Sequence, residues 1–402
     1  MPILSVIIPT CNRQKYAYHS VVAILTMYKD VEVVVADNSQ NATLRTLLSE
    51  FEADQRLIYS YTAEPISVVQ NFEIGLSIAG GDYLIFIGDD DCIGPNCEMI
   101  AQWAKDNHVE SVACTLPALY FWPDFHSRFF GNKYAGTLSI RDHAGLCNDI
   151  DTQVALASSL ENFGGGVMAM PRAYLGMISR VLADRISLKY GSLFGGVSPD
   201  IYSAALICAE SKKTVELDYP FVLPGSSSAS TSGQSAEGKH KGGLRDNAHI
   251  APFKDLVWDN LIPEFYSVPT VWSYSLKKAV DALDDARYLP NFPKLYAKCL
   301  LEHPGYSAST WKSISAYVKT QGLPLSIYLL SKAFALEALE KARHVIKRLR
   351  RPSRLAGQHT IVNQDTIHTA LLSLEAYCEE RNIHPHFPSP PNYSPDKDAP
   401  II

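Results

Sequence analysis

The chain lacks the features that mark disulfide-rich, nucleic-acid-binding or membrane-spanning proteins. Its eight cysteines are scattered, with no Cys-x-x-Cys pair and no metal-ligand spacing, so we expect reduced, mostly buried thiols in a cytosolic protein. The formal net charge of −6 argues against nucleic acid as the main ligand. The sequence has no run of about 18 apolar residues, so we expect no membrane span. The first residues lack the charged and apolar regions of a signal peptide, which favours a cytoplasmic location.

What the sequence does contain is a regular alternation of strand and helix patterns over its first hundred residues. Short apolar runs typical of buried strands begin at Leu4, Val31, Leu57 and Tyr83, and helical apolar spacing separates them. This order predicts right-handed crossovers and a mostly parallel sheet. Ligands of such sheets bind beyond the carboxyl ends of the strands.

Polar residues follow three of these strands at that edge. Pro9 to Arg13 follow the first strand, Asp37 to Ser39 the second, and Asp89 to Asp91 the fourth, so we expect the three groups to share one crevice. Three adjacent carboxylates repel one another unless a cation neutralises them, and Mg²⁺ or Mn²⁺ bridging to substrate phosphates is the common solution. A solvated acidic turn is the simpler alternative.

Three motifs in this order, SVIIPTCNR, VVVADNS and GGDYLIFIGDDD, closely resemble the opening of inverting family-2 glycosyltransferases of the GT-A fold. The resemblance is strongest over residues 3–100. It implies an α/β fold with a Rossmann-like, mostly parallel sheet flanked by helices. It also implies transfer of a sugar from a nucleotide-diphosphate sugar to an acceptor hydroxyl, with inversion and with Mn²⁺ or Mg²⁺ as cofactor.

The resemblance assigns roles to individual residues. The nucleoside contacts fall on the loop after the first strand and on the acid after the second, namely Pro9, Thr10, Cys11 and Asp37. The family's Asp-x-Asp motif matches the triplet, with Asp89 and Asp90 on the nucleotide and Asp89 and Asp91 on the metal. Ala36 and Asn41 stand where many members carry acids, which leaves the nucleotide preference open.

Asp200 is our candidate for the general base. The family's base is an acid that begins a helix downstream of the metal motif, and Ser198-Pro199-Asp200 predicts such a helix start. A carboxylate there would deprotonate the acceptor hydroxyl as it attacks the anomeric carbon. The structural alternative has Ser198 as N-cap and Asp200 at the positive end of the helix dipole. Asp149 and Asp151 are the substitute bases.

Two further segments carry candidate contacts to the sugars. Trp122 lies in an aromatic stretch, residues 120–125, that predicts either a platform for the acceptor or a satellite hydrophobic cluster. Gly164 and Gly165 lie where the family has a glycine-containing stretch along the donor sugar. Glycines there would let the backbone approach a ligand closely, and a simple bend is the alternative.

We divide the chain into a GT-A domain at 1–222, a Ser/Gly-rich segment at 223–250, a helical region at 251–383 and a Pro-rich tail at 384–402. The second segment predicts a flexible linker or an active-site lid. As a lid it would bring basic residues to the diphosphate and His240 to the metal. The stretch 341–354 has seven Lys or Arg and no acid, which predicts either a solvated helix face or a peripheral contact with anionic lipid on the cytoplasmic side.

The sequence as a whole predicts a glycosyltransferase in cell-surface polysaccharide or glycolipid assembly, with a glycan or lipid-linked acceptor. A sugar nucleotidyltransferase has a similar sheet and acids, but the glycine-rich, basic signature of that class is missing after the first strand. A non-catalytic protein that binds nucleotide sugars on the same scaffold is the other alternative.

Overall fold

The structure, a computed structural model, describes residues 2–115, 118–166, 170–238, 241–350 and 358–388, without the side chains of 347–350. The first elements are β1 Leu4–Thr10, α1 Gln14–Met27, β2 Val31–Asp37, α2 Thr43–Leu47, a 3₁₀ turn Ser49–Phe51, β3 Leu57–Tyr61, α3 Val68–Ile78, β4 Tyr83–Phe86, β5 Cys92–Ile93 and α4 Cys97–Asp106. This is the alternation that the apolar patterns predict.

The middle of the chain adds strands and helices around the same sheet. They are β6 Ser111–Cys114, β7 Leu119–Phe121, β8 Thr137–Ile140, β9 Cys147–Asp149, α5 Thr152–Glu161, β10 Gly176–Ser179, α6 Arg180–Tyr190, α7 Pro199–Glu210, β11 Thr214–Leu217, β12 Val222–Leu223, β13 Gly225–Ser226 and α8 Thr231–Glu237. The helical region that follows contains α9 Val268–Leu283, α10 Phe292–Glu302, a 3₁₀ turn Pro304–Tyr306, α11 Ser307–Gln321, α12 Leu323–Arg350, β14 His359–Ile361 and α13 Ile367–Glu380.

The central sheet of the described chain has eight strands in the order β3-β2-β1-β4-β10-β6-β11-β9. β1, β2, β3 and β4 are parallel to one another, as are β6 and β11, whereas β10 and β9 run antiparallel to their neighbours. The strands beside β1 are almost completely buried because helices cover both faces of the sheet. The predicted α/β fold, with a mostly parallel sheet flanked by helices and a helical C-terminal region, is confirmed.

The last described elements return to the first part of the chain. α13 packs on α1, and its Leu371 and Leu374 are fully buried in the same core as Val6 and Ile24. β14 pairs antiparallel with β8. The predicted boundary at 251 therefore does not divide the packing, because residues from both sides of it complete one core.

The Ser/Gly-rich segment is ordered where the structure describes it. It begins with β13, which pairs with β7, and continues into α8, whose N-cap is Ser230. Leu244 and Ile250 then reach a hydrophobic core. A structureless linker was the wrong expectation, because Gly225, Ser227 and Ser230 hydrogen-bond to carboxylate and backbone groups. Lys239 and His240 lie outside the described residues.

The start of the Pro-rich tail also packs on the domain. Phe387 stacks on Trp103 with 4.2 Å between ring centroids, and the His386 amide donates to the Gly145 carbonyl at 2.7 Å. Residues 389–402 lie outside the described part. Among the described helices, none combines the length and the apolar character that crossing a bilayer requires.

Candidate active site

The three polar groups predicted to share a crevice do meet at the carboxyl edge of β1, β2 and β4. The Asn38 amide donates to the Thr10 carbonyl at 2.9 Å. The side-chain amide of Asn71 donates to the carbonyls of Thr10 and Ala36 at 3.3 and 3.0 Å. Thr10 Oγ1 in turn donates to Asp89 at 2.8 Å. One network therefore joins the first loop, the second loop and the acid triplet.

The carboxylates of Asp89 and Asp90 are paired with a cation from the chain itself. Arg13 Nη1 lies 2.6 Å from Asp89 Oδ1, and Arg13 Nη2 lies 3.0 Å from Asp90 Oδ1. The other oxygen of Asp90 accepts from the Ser227 amide at 3.1 Å and from its hydroxyl at 2.8 Å. The same hydroxyl accepts from Arg13 Nη2 at 2.9 Å. Arg13 therefore bridges two of the three acids.

Asp91 takes its donors from its own turn and from two other parts of the chain. One oxygen accepts from the Gly225 amide at 2.7 Å. The other accepts from the Gly88 amide at 2.8 Å and from the Tyr174 hydroxyl at 2.7 Å. A Cβ on Gly225 would lie 1.7 Å from the Asp90 carbonyl oxygen, so only glycine fits this approach. The ordered Ser/Gly-rich segment is thus part of the site.

Burial sets the electrostatics of this cluster. All three acids are almost completely buried. Burial raises the pKa of Asp89 and of Asp91, and the charge on Asp90 raises both further. Burial by itself lowers the pKa of Arg13, but Asp89 and Asp90 raise it more, so the net shift is upward and the guanidinium stays charged. The cluster carries three acids against one base.

The triplet as arranged does not fit a divalent ion. Each of its six carboxylate oxygens already has a donor or cation from the chain. Mg²⁺ and Mn²⁺ need several oxygens that converge without a competing cation. In the described part of the chain, no group of three or more His, Cys, Asp or Glu has an arrangement that could hold a metal ion. The predicted ligand His240 lies outside that part.

Asp37, the predicted nucleoside contact, is buried at the end of β2. Its oxygens accept from the Ser39 amide at 2.9 Å and from the Tyr59 hydroxyl at 2.5 Å. Burial and Asp37 itself raise the pKa of Tyr59, so its hydroxyl stays protonated as the donor. Beside it, the exposed Cys11 donates its thiol to the Asn38 carbonyl at 3.1 Å. These contacts hold the second loop against the first.

Asp200 lies in the first turn of α7, close enough to Tyr174 for its charge to act on that hydroxyl. Burial raises the pKa of Asp200, whereas the nearby charges of Arg172 and His249 lower it. The charges of Asp91, Asp90 and Asp200 all act to raise the pKa of the Tyr174 hydroxyl, after the larger effect of its burial. Tyr174 is therefore within electrostatic range of both the triplet and the candidate base.

The start of α7 is held by groups other than the predicted cap. The side chain of Ser198 makes no capping hydrogen bond, and Ser275 Oγ accepts from the amides of Val197 and Ser198 at 3.0 and 2.8 Å. His249 Nε2 donates to the Val197 carbonyl at 2.6 Å. Ser198 is the N-cap residue of α7, as predicted, but its side chain does not cap the helix because its neighbours satisfy this turn instead.

The substitute bases lie away from the site. Asp149 is in β9, the last strand of the sheet, which is separated from β4 by three strands. Asp151 caps α5 by accepting from the amides of Gln153 and Val154 at 3.0 and 3.1 Å. A carboxylate at the sheet margin and one occupied as a helix cap are less suited to this role than Asp200, which stays our candidate base.

Trp122, Gly164 and Gly165 also differ from their predicted places. Trp122 is 1% exposed and its Nε1 donates to the Asp90 carbonyl at 3.0 Å, so the ring supports the triplet and offers no face to an acceptor. A Cβ on Gly164 would lie 2.8 Å from Leu295. One on Gly165 would meet the side chain of Asn162 at 2.6 Å. The two glycines form a tight bend packed against α10, so the simpler alternative, a bend, describes them.

Similarity to known proteins is concentrated in the part of the chain that builds this edge. Residues 5–130 match the profile described as "Glycosyl transferase family 2". An uncharacterized glycosyltransferase, YfnE, of Bacillus subtilis is 31% identical over 130 residues, which are 31% of this chain and 32% of YfnE. A Campylobacter jejuni protein named GalNAc(5)-diNAcBac-PP-undecaprenol beta-1,3-glucosyltransferase is 32% identical over 97 residues, 23% of this chain and 30% of that protein.

The chain thus spans about a third of the length of these curated relatives. Among solved structures, the mannosyltransferase PcManGT from Pyrobaculum calidifontis, in complex with GDP-Man and Mn²⁺, aligns with 95% of this chain and 88% of its own, at 16% identity and a TM-score of 0.42. The predicted resemblance is confirmed over residues 5–130 by the family profile. This part of the chain is related to the family 2 glycosyl transferases.

Proposed function

We propose that this protein transfers a sugar from a nucleotide-diphosphate sugar to an acceptor hydroxyl with inversion at the anomeric carbon. The observation that carries the proposal is that Asp37 and the acid triplet meet at one sheet edge, within the segment related to glycosyltransferases. Tyr174, which donates to Asp91, is also within electrostatic range of Asp200 in α7. A protein that only binds nucleotide sugars has no need of a carboxylate such as Asp200, whose burial raises its pKa.

The chain's own residues account for donor binding in this proposal. Asp37 accepts hydrogen bonds from the nucleoside at the end of β2, next to the loop that carries Pro9, Thr10 and Cys11. Arg13 supplies positive charge at the place where the diphosphate would lie, and its planar fork suits phosphate oxygens. Positive charge there stabilises the leaving nucleoside diphosphate as the bond to the sugar breaks.

Asp200 is the proposed base. As the acceptor oxygen attacks the anomeric carbon, its proton passes to the Asp200 carboxylate and the bond to the diphosphate breaks on the opposite face. The raised pKa of Asp200 brings it closer to the working pH and so makes it a stronger base than an exposed aspartate. Tyr174, which donates to Asp91 and feels the charge of Asp200, links the proposed base to the triplet.

The acceptor in our proposal is lipid-linked, and contact with a membrane is peripheral. One relative is named for action on an undecaprenyl-diphosphate-linked glycan. In α12, Val345 and Ile346 are 53% and 52% exposed and lie within the basic stretch 341–354. Apolar residues interleaved with basic ones favour an anionic lipid surface. The side chains of 347–350 and residues 351–354 lie outside the described part.

The experiment is a donor screen. The purified protein is incubated with UDP-, GDP- and dTDP-sugars and short glycans linked to polyprenyl diphosphate, with and without Mn²⁺, and free nucleotide and glycosylated lipid are measured together. We expect one nucleotide to be released in proportion to product, and product with the opposite anomeric configuration by NMR. Nucleotide release with no acceptor-dependent product from any donor would contradict the proposal.

A further inference from the structure

A groove of about 430 Å³ lies between α10, α11 and α12, and this volume is within the usual range of ligand pockets, about 300–1,000 Å³. Its lining is predominantly apolar, and the large side chains are Tyr296, Leu300, Trp311, Ile314, Leu330 and Phe334. Trp311 and Phe334 are 56% and 43% exposed, so the groove is open to solvent. Exposed rings beside an apolar groove indicate a site for an apolar ligand.

The helix that forms one wall of the groove has further exposed apolar surface. Side chains of α12 that are 47–62% exposed are Leu323, Leu325, Ile327, Tyr328, Leu336 and Leu339. Contiguous apolar surface on this scale usually marks a place where a partner or a lipid binds. A chain longer than the groove therefore has additional apolar surface available on the same helix.

A basic side chain lies at the end of α10, beside the groove. Lys341 of α12 donates to the Leu301 carbonyl at 2.7 Å, next to the groove residue Leu300. An ammonium group has three donors, and this bond uses one of them. Lys341 therefore contacts the end of α10 and keeps donors for an anion.

A second lysine reaches the same helix end from the Ser/Gly-rich segment. Burial lowers the pKa of His303, the C-cap residue of α10; the charge of Glu302 raises it, and the charges of Lys241 and Lys341 lower it. Both lysines therefore lie near this helix end, where they outnumber the one acid. Such a place attracts an anionic group.

The stretch of chain that carries Lys241 also reaches the helix of the proposed base. His249 follows in this stretch, and its Nε2 donates to the Val197 carbonyl at 2.6 Å. Val197 directly precedes the turn in which α7 and Asp200 begin. One short stretch of chain thus contacts both the basic end of the groove and the start of α7.

We propose that the groove binds the prenyl chain of a prenyl-diphosphate-linked acceptor, with the chain against Trp311 and Phe334 and the diphosphate at Lys341 and Lys241. This ligand joins one apolar tail to an anionic head, which matches an apolar lining that adjoins a basic end. One groove suits one chain, whereas a bilayer phospholipid has two. The inference rests on the proposed function for the glycan that the lipid carries, but binding of the lipid can be measured without a sugar donor.

The test is binding of farnesyl diphosphate to the full chain by calorimetry, with saturating UDP and GDP present to occupy the nucleotide site. Inorganic pyrophosphate has the head without the tail, and we expect it to bind more than about tenfold more weakly. Phe334→Gln should weaken binding of farnesyl diphosphate about tenfold, because the ring provides apolar area that the ligand covers. Leu336→Gln is the matched control, since Leu336 is on the same helix, is 47% exposed and is not part of the lining.

Lys341→Gln tests the head group separately. The Gln amide can still donate to Leu301 but lacks the charge, so binding of farnesyl diphosphate should weaken about tenfold, as expected for loss of a charge-assisted contact, and binding of farnesol should not change. Lys319→Gln is the control, because Lys319 is an exposed lysine near the opposite end of α11.

Hydrogen exchange of the unaltered protein needs no variant and covers the case in which Phe334→Gln does not fold. Farnesyl diphosphate should slow amide exchange in peptides from α11 and from residues 323–346, and leave exchange in α6 unchanged. Pyrophosphate at the same concentration should not slow exchange in α11.

Each of four results would overturn the inference. These are binding of farnesyl diphosphate no tighter than that of pyrophosphate, equal binding in folded Phe334→Gln and Leu336→Gln, or equally tight binding of dihexanoyl phosphatidylglycerol, which would make the groove a contact for bilayer lipid. The fourth is a dimer that Phe334→Gln abolishes and farnesyl diphosphate does not affect, which would assign the groove to a second copy of the chain.

The outcome for the groove and the outcome for the proposed function can be told apart. Binding of farnesyl diphosphate is measured without a sugar donor, so a failure to detect glycosyl transfer would leave a positive result intact. Conversely, transfer to a lipid-linked glycan with the same KM in Phe334→Gln and the unaltered protein would support the proposed function and remove the groove from it.

Discussion

Two buried charge clusters in this molecule are built in opposite ways. In the helical region, Glu337 of α12 lies 2.9 Å from Lys294 and 3.1 Å from Lys298 of α10, and Glu340 lies 2.9 Å from Lys294. Two bases meet two acids, and the charges balance. At the sheet edge, three acids meet one base, and the remaining oxygens depend on neutral donors from distant segments.

The difference separates a structural cluster from a functional one. A balanced set of ion pairs needs nothing further, and it fixes α12 on α10. An unbalanced set of buried carboxylates lowers the stability of the fold, because burial of a charge is unfavourable unless it is paired. Its persistence makes sense if a ligand supplies the missing positive charge or uses the negative one. Substitutions should therefore affect stability in the first cluster and binding or turnover near the second.

The largest expected effect is on turnover, at Asp200. Asp200→Asn should lower kcat by about 10²–10⁴-fold, the usual contribution of a positioned base, while its side-chain oxygen can still accept from the start of α7, so Tm should hold. In the unaltered protein, the rate should rise with pH through a pKa above that of an ordinary aspartate, because the base acts only when deprotonated and burial raises its pKa.

Ser198→Ala is the matched control for Asp200, since Ser198 precedes the same helix without a capping bond. It should keep both kcat and Tm. If Asp200→Asn retains near-normal turnover, or keeps the acid limb of the pH profile, Asp200 has only a structural role.

The balanced cluster should show the largest effect on stability. Glu337→Ala leaves Lys298 buried without its ion-pair partner and should lower the free energy of unfolding by about 3 kcal/mol, measured by urea denaturation. Glu340→Ala is the control, because its side chain is 49% exposed and such pairs contribute less than about 1 kcal/mol. Nucleotide affinity should be unchanged in both. An undiminished unfolding free energy in Glu337→Ala would contradict the structural role of this cluster.

Asp37 lies beside the unbalanced cluster, and we expect its substitution to change nucleotide binding alone. Asp37→Ala should weaken nucleotide binding by about 1–3 kcal/mol, the range for a hydrogen bond to a charged group, measured by calorimetry. Tyr59→Phe removes the hydroxyl that Asp37 accepts from but keeps the carboxylate, so its affinity should fall much less. Equal affinities in Asp37→Ala and the unaltered protein would remove this residue from the nucleoside site.

The smallest effect concerns the end of α12 beyond the balanced cluster. Vesicles containing phosphatidylglycerol should co-sediment the protein at low salt, with each basic residue contributing about 1 kcal/mol. Binding should be lost at high salt and on replacing Arg348, Arg350 and Arg351 with Gln. Replacing Lys29 and Lys212, exposed lysines elsewhere, should have no effect. Absence of binding at low salt would make this stretch an ordinary solvated helix face.

The sequence predicted what depends on local pattern. Strands β1, β2 and β4 are contiguous apolar runs, and their polar ends had to meet once the sheet was parallel. The partners of the triplet could not be read in this way. Arg13 is 76 positions from Asp89, and Tyr174 and Ser227 are still farther from the acids in sequence, so only the folded chain brings them together. Arg13 carried one available signal, as the sole basic residue of the first loop.

Amino-acid composition gave the wrong prediction for a segment that donates hydrogen bonds to buried polar groups instead of burying apolar side chains. The Ser/Gly-rich stretch has the composition of a linker, yet Gly225 and Ser227 donate to Asp91 and Asp90. Trp122 was predicted as a surface for the acceptor, but its ring is buried and its Nε1 donates to the Asp90 carbonyl. In both cases the residue's partner is distant in sequence, and the spacing of residues along the chain does not identify it.

The return of α13 to α1 has a consequence for how the protein is made. Ile367, Ala370 and Leu371 belong to the core that the first strand and first helix begin. During synthesis, the helix that covers this face of α1 emerges from the ribosome more than three hundred residues after α1 does. Until then α1 must expose apolar surface, which makes nascent chains aggregation-prone. The core beneath the sheet edge therefore completes its packing only after α13 has been translated.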